Sequence, residues 1–144
     1  MIKVWDTAGQ EKFAVMAKSY YKRAHGMIIA CAINNRGTFE NLRTWLNSVR
    51  ENAEAEIQII LIANKCDLEE EREIKKEEIK SKADELGIEF FETSARTNYN
   101  VDEAFDKIIQ KVYKSVYDNP SDKPVGIVLD GSSKKASSGR RCCK

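Results

Sequence analysis

The sequence predicts an α/β fold in which a parallel sheet carries helices on both of its faces. Two observations predict it. Continuous apolar runs of strand length occupy residues 27–33 and 57–63, as expected of strands buried on both faces. Segments whose apolar residues recur at helical spacing follow both runs. The 144 residues suffice for one domain, and a composition of 42% apolar and 33% charged residues is typical of a globular chain.

Sequence patterns in the first half of the chain predict two strands, a loop with a short helix, and a longer helix. Residues 2–5 form a short apolar strand that ends at Asp6, and residues 13–23 form a loop with a short helix. After the strand at 27–33, Thr38 is a suitable N-cap for a helix. The apolar side chains of that helix are Phe39, Leu42, Trp45, Leu46 and Val49.

The second half repeats the alternation. The strand at 57–63 precedes a charged segment, 69–76, and a helix that carries Ile79, Ala83 and Leu86 and ends at Gly87. A strand at 88–93 follows. Asn100 then caps the last helix, with Glu103 completing a capping box. The apolar stripe of this helix is Val101, Ala104, Phe105, Ile108, Ile109, Val112 and Val116.

In such sheets, ligands bind at the carboxyl ends of the strands, so the residues that follow each strand carry the chemistry. The first such segment is DTAGQ, residues 6–10. A lone Asp before a Gly is most often an ordinary turn. The functional interpretation is that Asp6 holds Mg²⁺ through water, Gly9 offers its backbone N–H to a terminal phosphate, and Gln10 orients a water.

The second segment is NKCD, residues 64–67. A carboxylate at Asp67 can accept hydrogen bonds from the ring N–H and the exocyclic amine of guanine, a pair of donors that adenine lacks. Bonds to a charged group contribute about 1.5–3 kcal/mol each, enough to discriminate between the bases. The stem of Lys65 can lie along the purine face. A helix-capping turn is about equally compatible with these four residues taken alone.

The third segment is Thr93-Ser94-Ala95, where backbone N–H groups can meet the carbonyl of a base. Taken alone it is weak, because Ser and Ala are common after strands. The three segments occur in order, each at the carboxyl end of a predicted strand. This combination favours a site for a guanine nucleotide over three unrelated turns.

With these motifs in place, the chain resembles the Rab branch of the Ras-like small GTPases over about residues 2–117. The similar segments are WDTAGQEKF, SYYKRAHG, TFENLRTWL, ANKCDL and ETSA. The resemblance implies a GTP-hydrolysing switch of intracellular vesicle traffic and protein transport, with Mg²⁺ as cofactor and GTP or GDP as ligand. It also implies a phosphate-loop GTPase sheet with helices on both faces.

The resemblance assigns roles residue by residue. Asp6 is the metal-linked and nucleotide-binding Asp, Gly9 senses the terminal phosphate, and Gln10 is the catalytic residue. Residues 13–23 match the mobile switch II. Trp5 and Tyr20 match aromatic residues that face effectors. The residues implied to bind the guanine base are Asn64, Lys65, Asp67, Ser94, Ala95 and Arg96.

The sequence departs from the family pattern in four features. Residues 31–34 read CAIN where the family usually has Tyr-Asp-x-Thr, and Ala63 replaces a common Gly. The phosphate-binding motif Gly-x4-Gly-Lys-Ser/Thr has no counterpart, nor does the threonine of switch I.

We therefore expect residues 1–118 to be a partial GTPase domain, truncated at its N-terminus and lacking the first strands of the sheet. Made alone, it is expected to fold poorly and to bind nucleotide weakly or not at all. The alternative function is a nucleotide-free, prenylated interaction fragment without GTPase activity.

Residues 119–144 lose all periodicity, which predicts a disordered, variable tail. The tail carries six Lys or Arg residues against two Asp, and it ends RRCCK. On a Rab-like body, Cys142 and Cys143 resemble paired geranylgeranylation sites. Two lipids anchor a protein more firmly than one, and a basic tail favours an anionic membrane. Ile127 and Leu129 resemble the apolar motif that meets the Rab escort protein.

The sequence also carries information on the binding partners of the protein and on its location in the cell. No apolar stretch has the length of a membrane span, and no secretory signal is evident. A near-neutral body with a basic tail argues against nucleic acid as a partner. The resemblance implies effectors, an exchange factor, an activating protein, the escort protein and a GDP-dissociation inhibitor. It places the protein on the cytoplasmic face of endomembranes, cycling with the cytosol, where its four cysteines stay reduced.

Overall fold

The computed structural model describes residues 2–7 and 19–118. Within them, three parallel strands form one sheet in the order β1-β2-β3. The strands are β1 (Gly26–Ala32), β2 (Gln58–Asn64) and β3 (Glu89–Glu92). The helices are α1 (Arg36–Glu40), α2 (Leu42–Asn52), α3 (Lys76–Leu86) and α4 (Val101–Asp118), and a 3₁₀ helix spans Glu69–Glu71.

The alternation of side chains along β2 divides the core into two layers. Ile59, Leu61 and Ala63 face a larger cluster that includes side chains of α1, α2 and α3. Ile60 faces the opposite way, against Ala104 and Ile108 of α4. Because successive strand residues point to opposite faces, the apolar run of β2 serves both layers. The predicted parallel sheet with helices on both faces is confirmed.

The helices that position the strand ends begin and end for local reasons. The side chain of Asn35 accepts a hydrogen bond from Thr38 N and caps α1. The predicted cap at Thr38 is therefore wrong: its hydroxyl donates to Asn35 O at 2.7 Å and accepts from Ala32 N at 2.9 Å. Gly87 ends α3 as predicted, with a φ of 68° in the left-handed region that glycine adopts without strain.

Three other predictions change in the structure. Residues 2–5 are not a strand; they are exposed and, in the described part of the chain, no strand pairs with them. An isolated extended segment leaves its backbone groups to water and gains nothing from the sheet. The single helix predicted after residue 38 is divided at Asn41 into α1 and α2. The predicted capping box is also wrong, because Asn100 Nδ2 donates to Glu92 O and Asn100 has a φ of 53°.

The remaining boundaries agree with the sequence to within a residue or two. Residues 19–21 are helical, and the rest of the predicted loop and helix at 13–18 lies outside the described residues. The predicted tail, 119–144, also lies outside them. No helix in the described ranges combines the length and the apolarity that crossing a bilayer requires.

The packing of α4 against β1 depends on a close approach at Gly26. A Cβ added there would lie 2.7 Å from Val112 Cγ2 and 3.2 Å from Ile108 Cγ1. We expect Gly26→Ala to lower the free energy of unfolding by about 1–3 kcal/mol, because overpacking forces the valine out of place. Urea unfolding of the full chain measures this change.

The matched control for Gly26→Ala is Val112→Ala, which removes the crowded methyl group. In the double variant, the penalty of Gly26→Ala is expected to be smaller than in the otherwise unchanged chain. An equal penalty in both backgrounds would show that α4 does not approach β1 this closely.

Candidate functional site

The candidate site lies at the carboxyl ends of β2 and β3, and backbone hydrogen bonds join the two loops that leave these strands. Thr93 N donates to Ala63 O at 2.9 Å, and Cys66 N donates to Thr93 O at 3.1 Å. Thr93 itself is only 2% exposed. The loop after β2 and the loop after β3 are therefore held side by side, which brings NKCD next to Thr93-Ser94-Ala95.

Ser94 is the buried anchor of the site. It is fully buried, and its hydroxyl donates to Asp67 Oδ1 at 2.6 Å. The same hydroxyl accepts from Thr97 N at 3.1 Å, and the backbone of Ser94 exchanges two hydrogen bonds with that of Tyr99. A buried hydroxyl whose donor and acceptor are both used cannot rotate freely. It fixes one oxygen of the Asp67 carboxylate.

The other oxygen of Asp67 faces the outer side of the site. Oδ2 lies 3.9 Å from Arg96 Nη1, and the Arg96 side chain is 80% exposed. An ion pair this long and this exposed contributes little, so Arg96 yields readily to another donor. The carboxylate therefore presents a free acceptor edge suited to two neighbouring N–H groups.

The hydrogen bond from Ser94 is the largest cause that holds the pKa of Asp67 below its usual value, against the opposing effect of burial. The backbone hydrogen bond of Asp67 and the charges of Arg96 and Lys65 act in the same direction as Ser94. These interactions favour the ionised form of Asp67, in which both carboxylate oxygens act only as acceptors.

Asn64 ties the two loops together through its side chain. Its Oδ1 accepts from Ala95 N at 3.2 Å and lies 3.4 Å from the Thr93 hydroxyl. The sequence predicts that backbone N–H groups at 94–95 meet a base carbonyl. In the structure the N–H of Ala95 already points to Asn64, so a base carbonyl would share this donor.

Lys65 has an unusual backbone conformation. Its φ is 66°, in the left-handed region that costs a residue with a Cβ about 1–2 kcal/mol. Its carbonyl accepts from Leu68 N at 2.9 Å, which closes the turn and directs Asp67 back toward Ser94. Backbone strain of this kind occurs at binding sites, where the surrounding hydrogen bonds impose it.

A cavity of about 120 Å³ lies beside Asn64 and Ala95, between the sheet and the start of α4. Ile62 and Thr93 line it from the strands. Val101, Ala104 and Phe105 line it from the helix. The cavity gives this end of the sheet an apolar recess next to the polar groups of the two loops.

The structure brings together six of the predicted nucleotide-binding residues, namely Asn64, Lys65, Asp67, Ser94, Ala95 and Arg96. Asp6 lies in the exposed segment 2–7, and no hydrogen bond or ion pair joins it to them among the described residues. Gly9, Gln10, Ile127, Leu129, Cys142 and Cys143 lie outside the described residues.

Trp5 and Tyr20, the predicted effector-facing aromatics, contact each other. Their ring centroids are 5.1 Å apart, and the side chains are 64% and 40% exposed. The sequence did not indicate a contact across the intervening residues. It singled out Asn100 only as a helix cap, and did not indicate that its amide donates to Glu92 O at the end of β3.

The donor set fits a guanine base. Asp67 offers a carboxylate edge for two N–H donors, and Asn64 and Ala95 place amide groups beside it. Mg²⁺ in nucleotide sites typically keeps several waters and takes one or two carboxylates. The described segment 2–7 contains one carboxylate, that of Asp6, and it is exposed.

The role of Ser94 is tested by titrating Asp67. Because folding lowers the pKa of Asp67, its ionised carboxylate stabilises the folded chain at pH values above the ordinary carboxyl pKa. That stabilisation is lost as the pH falls through the pKa that Asp67 has in the folded state. In Ser94→Ala, the Asp67 pKa is expected to rise toward its ordinary value, as followed by carboxyl NMR shifts. Ser81→Ala, on the exposed face of α3, is the control. An unchanged Asp67 midpoint in Ser94→Ala would contradict the assigned cause.

Comparison with known proteins identifies the family of this chain. A sequence model of the Ras family matches residues 1–114. Ras-related protein Rab-13 of Bos taurus is 44% identical over 111 residues, covering 77% of this chain and 55% of the relative. GTP-binding protein ypt2 of Schizosaccharomyces pombe is 41% identical over 117 residues, covering 81% and 58%. Rab-13 of Rattus norvegicus is 40% identical over 139 residues, covering 94% and 68%.

The chain thus spans between about half and two thirds of the length of these curated relatives. The family match covers the sheet, the helices that flank it and both loops of the candidate site. The chain belongs to the Ras family, and within it to the Rab-like small GTPases.

Proposed function

We propose that this chain acts in a GTP-binding and GTP-hydrolysing switch of vesicle traffic, with the site at the ends of β2 and β3 reading the guanine base. The single observation that carries the proposal is the orientation of Asp67. Ser94 holds one carboxylate oxygen at 2.6 Å, and the other lies 3.9 Å from an exposed arginine. An edge oriented in this way before binding loses little freedom when a ligand arrives.

Guanine has the complementary edge. Its ring N–H and its exocyclic amine lie side by side, so both can donate to the free edge of Asp67. The low pKa of Asp67 ensures that the carboxylate is ionised at neutral pH. Adenine presents an unprotonated ring nitrogen at the equivalent position, and its lone pair would oppose the charge of Asp67. The site therefore discriminates between purines by charge as well as by shape.

Membership in the Ras family supports individual roles for the residues near the phosphates and Mg²⁺. Gln10 orients the attacking water, Gly9 senses the terminal phosphate, and Asp6 holds Mg²⁺ through water, as in other GTPases of this type. Mg²⁺ supplies charge neutralisation for the phosphates when it is bound. The exposed Trp5–Tyr20 pair offers effectors an aromatic surface. An exchange factor, an activating protein, the escort protein and a GDP-dissociation inhibitor are the regulatory partners.

A second candidate function is an interaction module that is prenylated but holds no nucleotide. The observation that favours it is the absence of Gly-x4-Gly-Lys-Ser/Thr from the 144 residues. That motif supplies backbone N–H groups and a lysine to the phosphates. Without that motif, the affinity for a guanine nucleotide would depend on contacts with the base. The base alone forms few of the charged contacts that the phosphates would add.

Substitution of Asp67 distinguishes the GTP-binding switch from the nucleotide-free interaction module. We expect Asp67→Asn to weaken binding of a fluorescent GDP analogue at least about tenfold, because one charged acceptor of two hydrogen bonds is lost. Xanthosine diphosphate, which has a carbonyl in place of the exocyclic amine, should gain affinity because the new amide can donate to it. Equilibrium fluorescence titration with Mg²⁺ present measures both constants.

The control for Asp67→Asn is Asp84→Asn, on an exposed position of α3, which should bind both nucleotides as the unchanged chain does. Saturable, magnesium-dependent GDP binding by the unchanged chain supports the switch. If the unchanged chain, once shown to be folded, binds no guanine nucleotide at millimolar concentration, the interaction module is the correct function.

The membrane anchor is tested separately. We propose that Cys142 and Cys143 each carry a geranylgeranyl group, so that the basic tail and two lipids together hold the protein on the cytoplasmic face of endomembranes. Intact mass measured on protein from eukaryotic cells should show two such additions. Cys142→Ser with Cys143→Ser should show none and should leave the membrane fraction, whereas Cys31→Ser should keep both lipids. Unmodified cysteines in the unchanged chain would refute the anchor.

A further inference from the structure

Arg72 connects three segments around the candidate site, although none of the sequence motifs contains it. Its Nε donates to both carboxylate oxygens of Glu69 at 2.9 Å, within the 3₁₀ helix that follows NKCD. Its Nη1 lies 2.9 Å from Glu92 Oε1, at the end of β3. The same nitrogen donates to Ile74 O at 3.1 Å, just before α3. All these contacts converge on a single guanidinium group.

The pair formed by Arg72 and Glu92 is largely withdrawn from solvent. Their side chains are 15% and 12% exposed, in contrast to the 58% and 47% of the ion pair between Arg43 and Glu85. Lys76 Nζ lies 3.4 Å from the second oxygen of Glu92. The 2.9 Å contact is an ion pair without the alignment of a hydrogen bond. A pair shielded from solvent is screened by salt much less than a surface pair is.

Both ends of the pair are attached directly to the base-reading loops. Glu92 immediately precedes Thr93 and Ser94, and its carbonyl accepts from Asn100 Nδ2. Arg72 follows a continuous series of turns from Lys65, in which Leu68 N donates to Lys65 O and Glu71 N donates to Leu68 O. The guanidinium therefore joins the loop that carries Asp67 to the loop that carries Ser94.

We propose that the ion pair between Arg72 and Glu92 is a positioning device that fixes the spacing of the two loops and thereby sets affinity and selectivity for guanine. The inference rests on the proposed function of the site. Neither residue touches the base. They act on Asp67 and Ser94, whose 2.6 Å hydrogen bond exists only while the loops keep this separation.

A merely stabilising ion pair would leave the selectivity of the site unchanged. If Arg72 only contributed to folding, its loss would lower the free energy of unfolding while the folded fraction bound each nucleotide as before. If Arg72 positions the loops, its loss moves Asp67 away from the exocyclic amine of guanine. Inosine diphosphate lacks that amine and should lose less affinity than GDP.

The experiment compares Arg72→Met, Glu92→Gln and the double variant in the full chain. Arg72→Met keeps the apolar stem and removes the guanidinium, and Glu92→Gln keeps the shape of the side chain. Affinities for GDP and inosine diphosphate are measured with Mg²⁺ present. We expect the preference for GDP to fall about tenfold in each single variant and little further in the double variant, because both changes break one interaction. Arg43→Met, which breaks the exposed pair with Glu85, should keep the preference.

Amide hydrogen exchange gives a readout that needs no nucleotide. The N–H of Cys66 and that of Ala95 bridge the two loops, whereas the N–H groups inside β2 report on the sheet. In Arg72→Met and Glu92→Gln, exchange at Cys66 and Ala95 should accelerate about tenfold while the sheet stays protected.

The outcomes separate the inference from the function on which it rests. An unchanged nucleotide preference, or acceleration spread evenly over loops and sheet, would overturn the positioning role. If the unchanged chain binds no nucleotide, the proposed function fails, and the exchange measurement alone decides whether the pair sets the spacing of the loops. Should Arg72→Met not fold, Glu92→Gln carries both measurements.

Discussion

The backbone pairing of β2 and β3 at their carboxyl ends is the constraint on which the candidate site depends. Thr93 extends the ladder by donating to Ala63 and then accepts from Cys66, so the pairing continues one residue beyond β3 and two residues beyond β2. Parallel strands have their carboxyl ends at the same edge, which makes the two loops neighbours by topology. The two additional hydrogen bonds turn that proximity into a defined distance.

Polar groups at this edge are arranged so that each hydrogen bond restricts the next. Tyr99 closes the loop on Ser94, Ser94 orients Asp67, and the left-handed turn at Lys65 brings Asp67 within reach. The unfavourable backbone of Lys65 is offset by the bonds on either side of it. Such a network makes the carboxylate rigid before any ligand binds, and rigidity of this kind favours discrimination between similar ligands.

The two faces of the sheet contribute differently to this site. The larger cluster holds α1, α2 and α3 beneath the loop after β2, and Arg72 joins that layer to the end of β3. On the opposite face, α4 approaches β1 closely at Gly26, and its first turn lines the apolar cavity next to Asn64. The site therefore lies where both layers meet the strand ends, and each layer supports one part of it.

Fold class, the order of the elements and the residues that meet at the ends of β2 and β3 could be predicted from sequence alone. Apolar runs and helical periods are local patterns, and motifs at strand ends are positioned by topology, so both can be recognised without coordinates. Sequence patterns placed the helix that ends at Gly87 correctly, because a left-handed cap is a local preference. They misplaced the cap of α1 and the strand at 2–5, because a cap has several nearby candidates and a strand exists only with a partner.

Three contacts became evident only in the tertiary structure: Ser94 holds Asp67, Trp5 contacts Tyr20, and Arg72 joins the two loops through Glu92. These contacts join residues from about 15 to 30 positions apart in the chain. Their distances depend on how the layers pack, which no local pattern encodes.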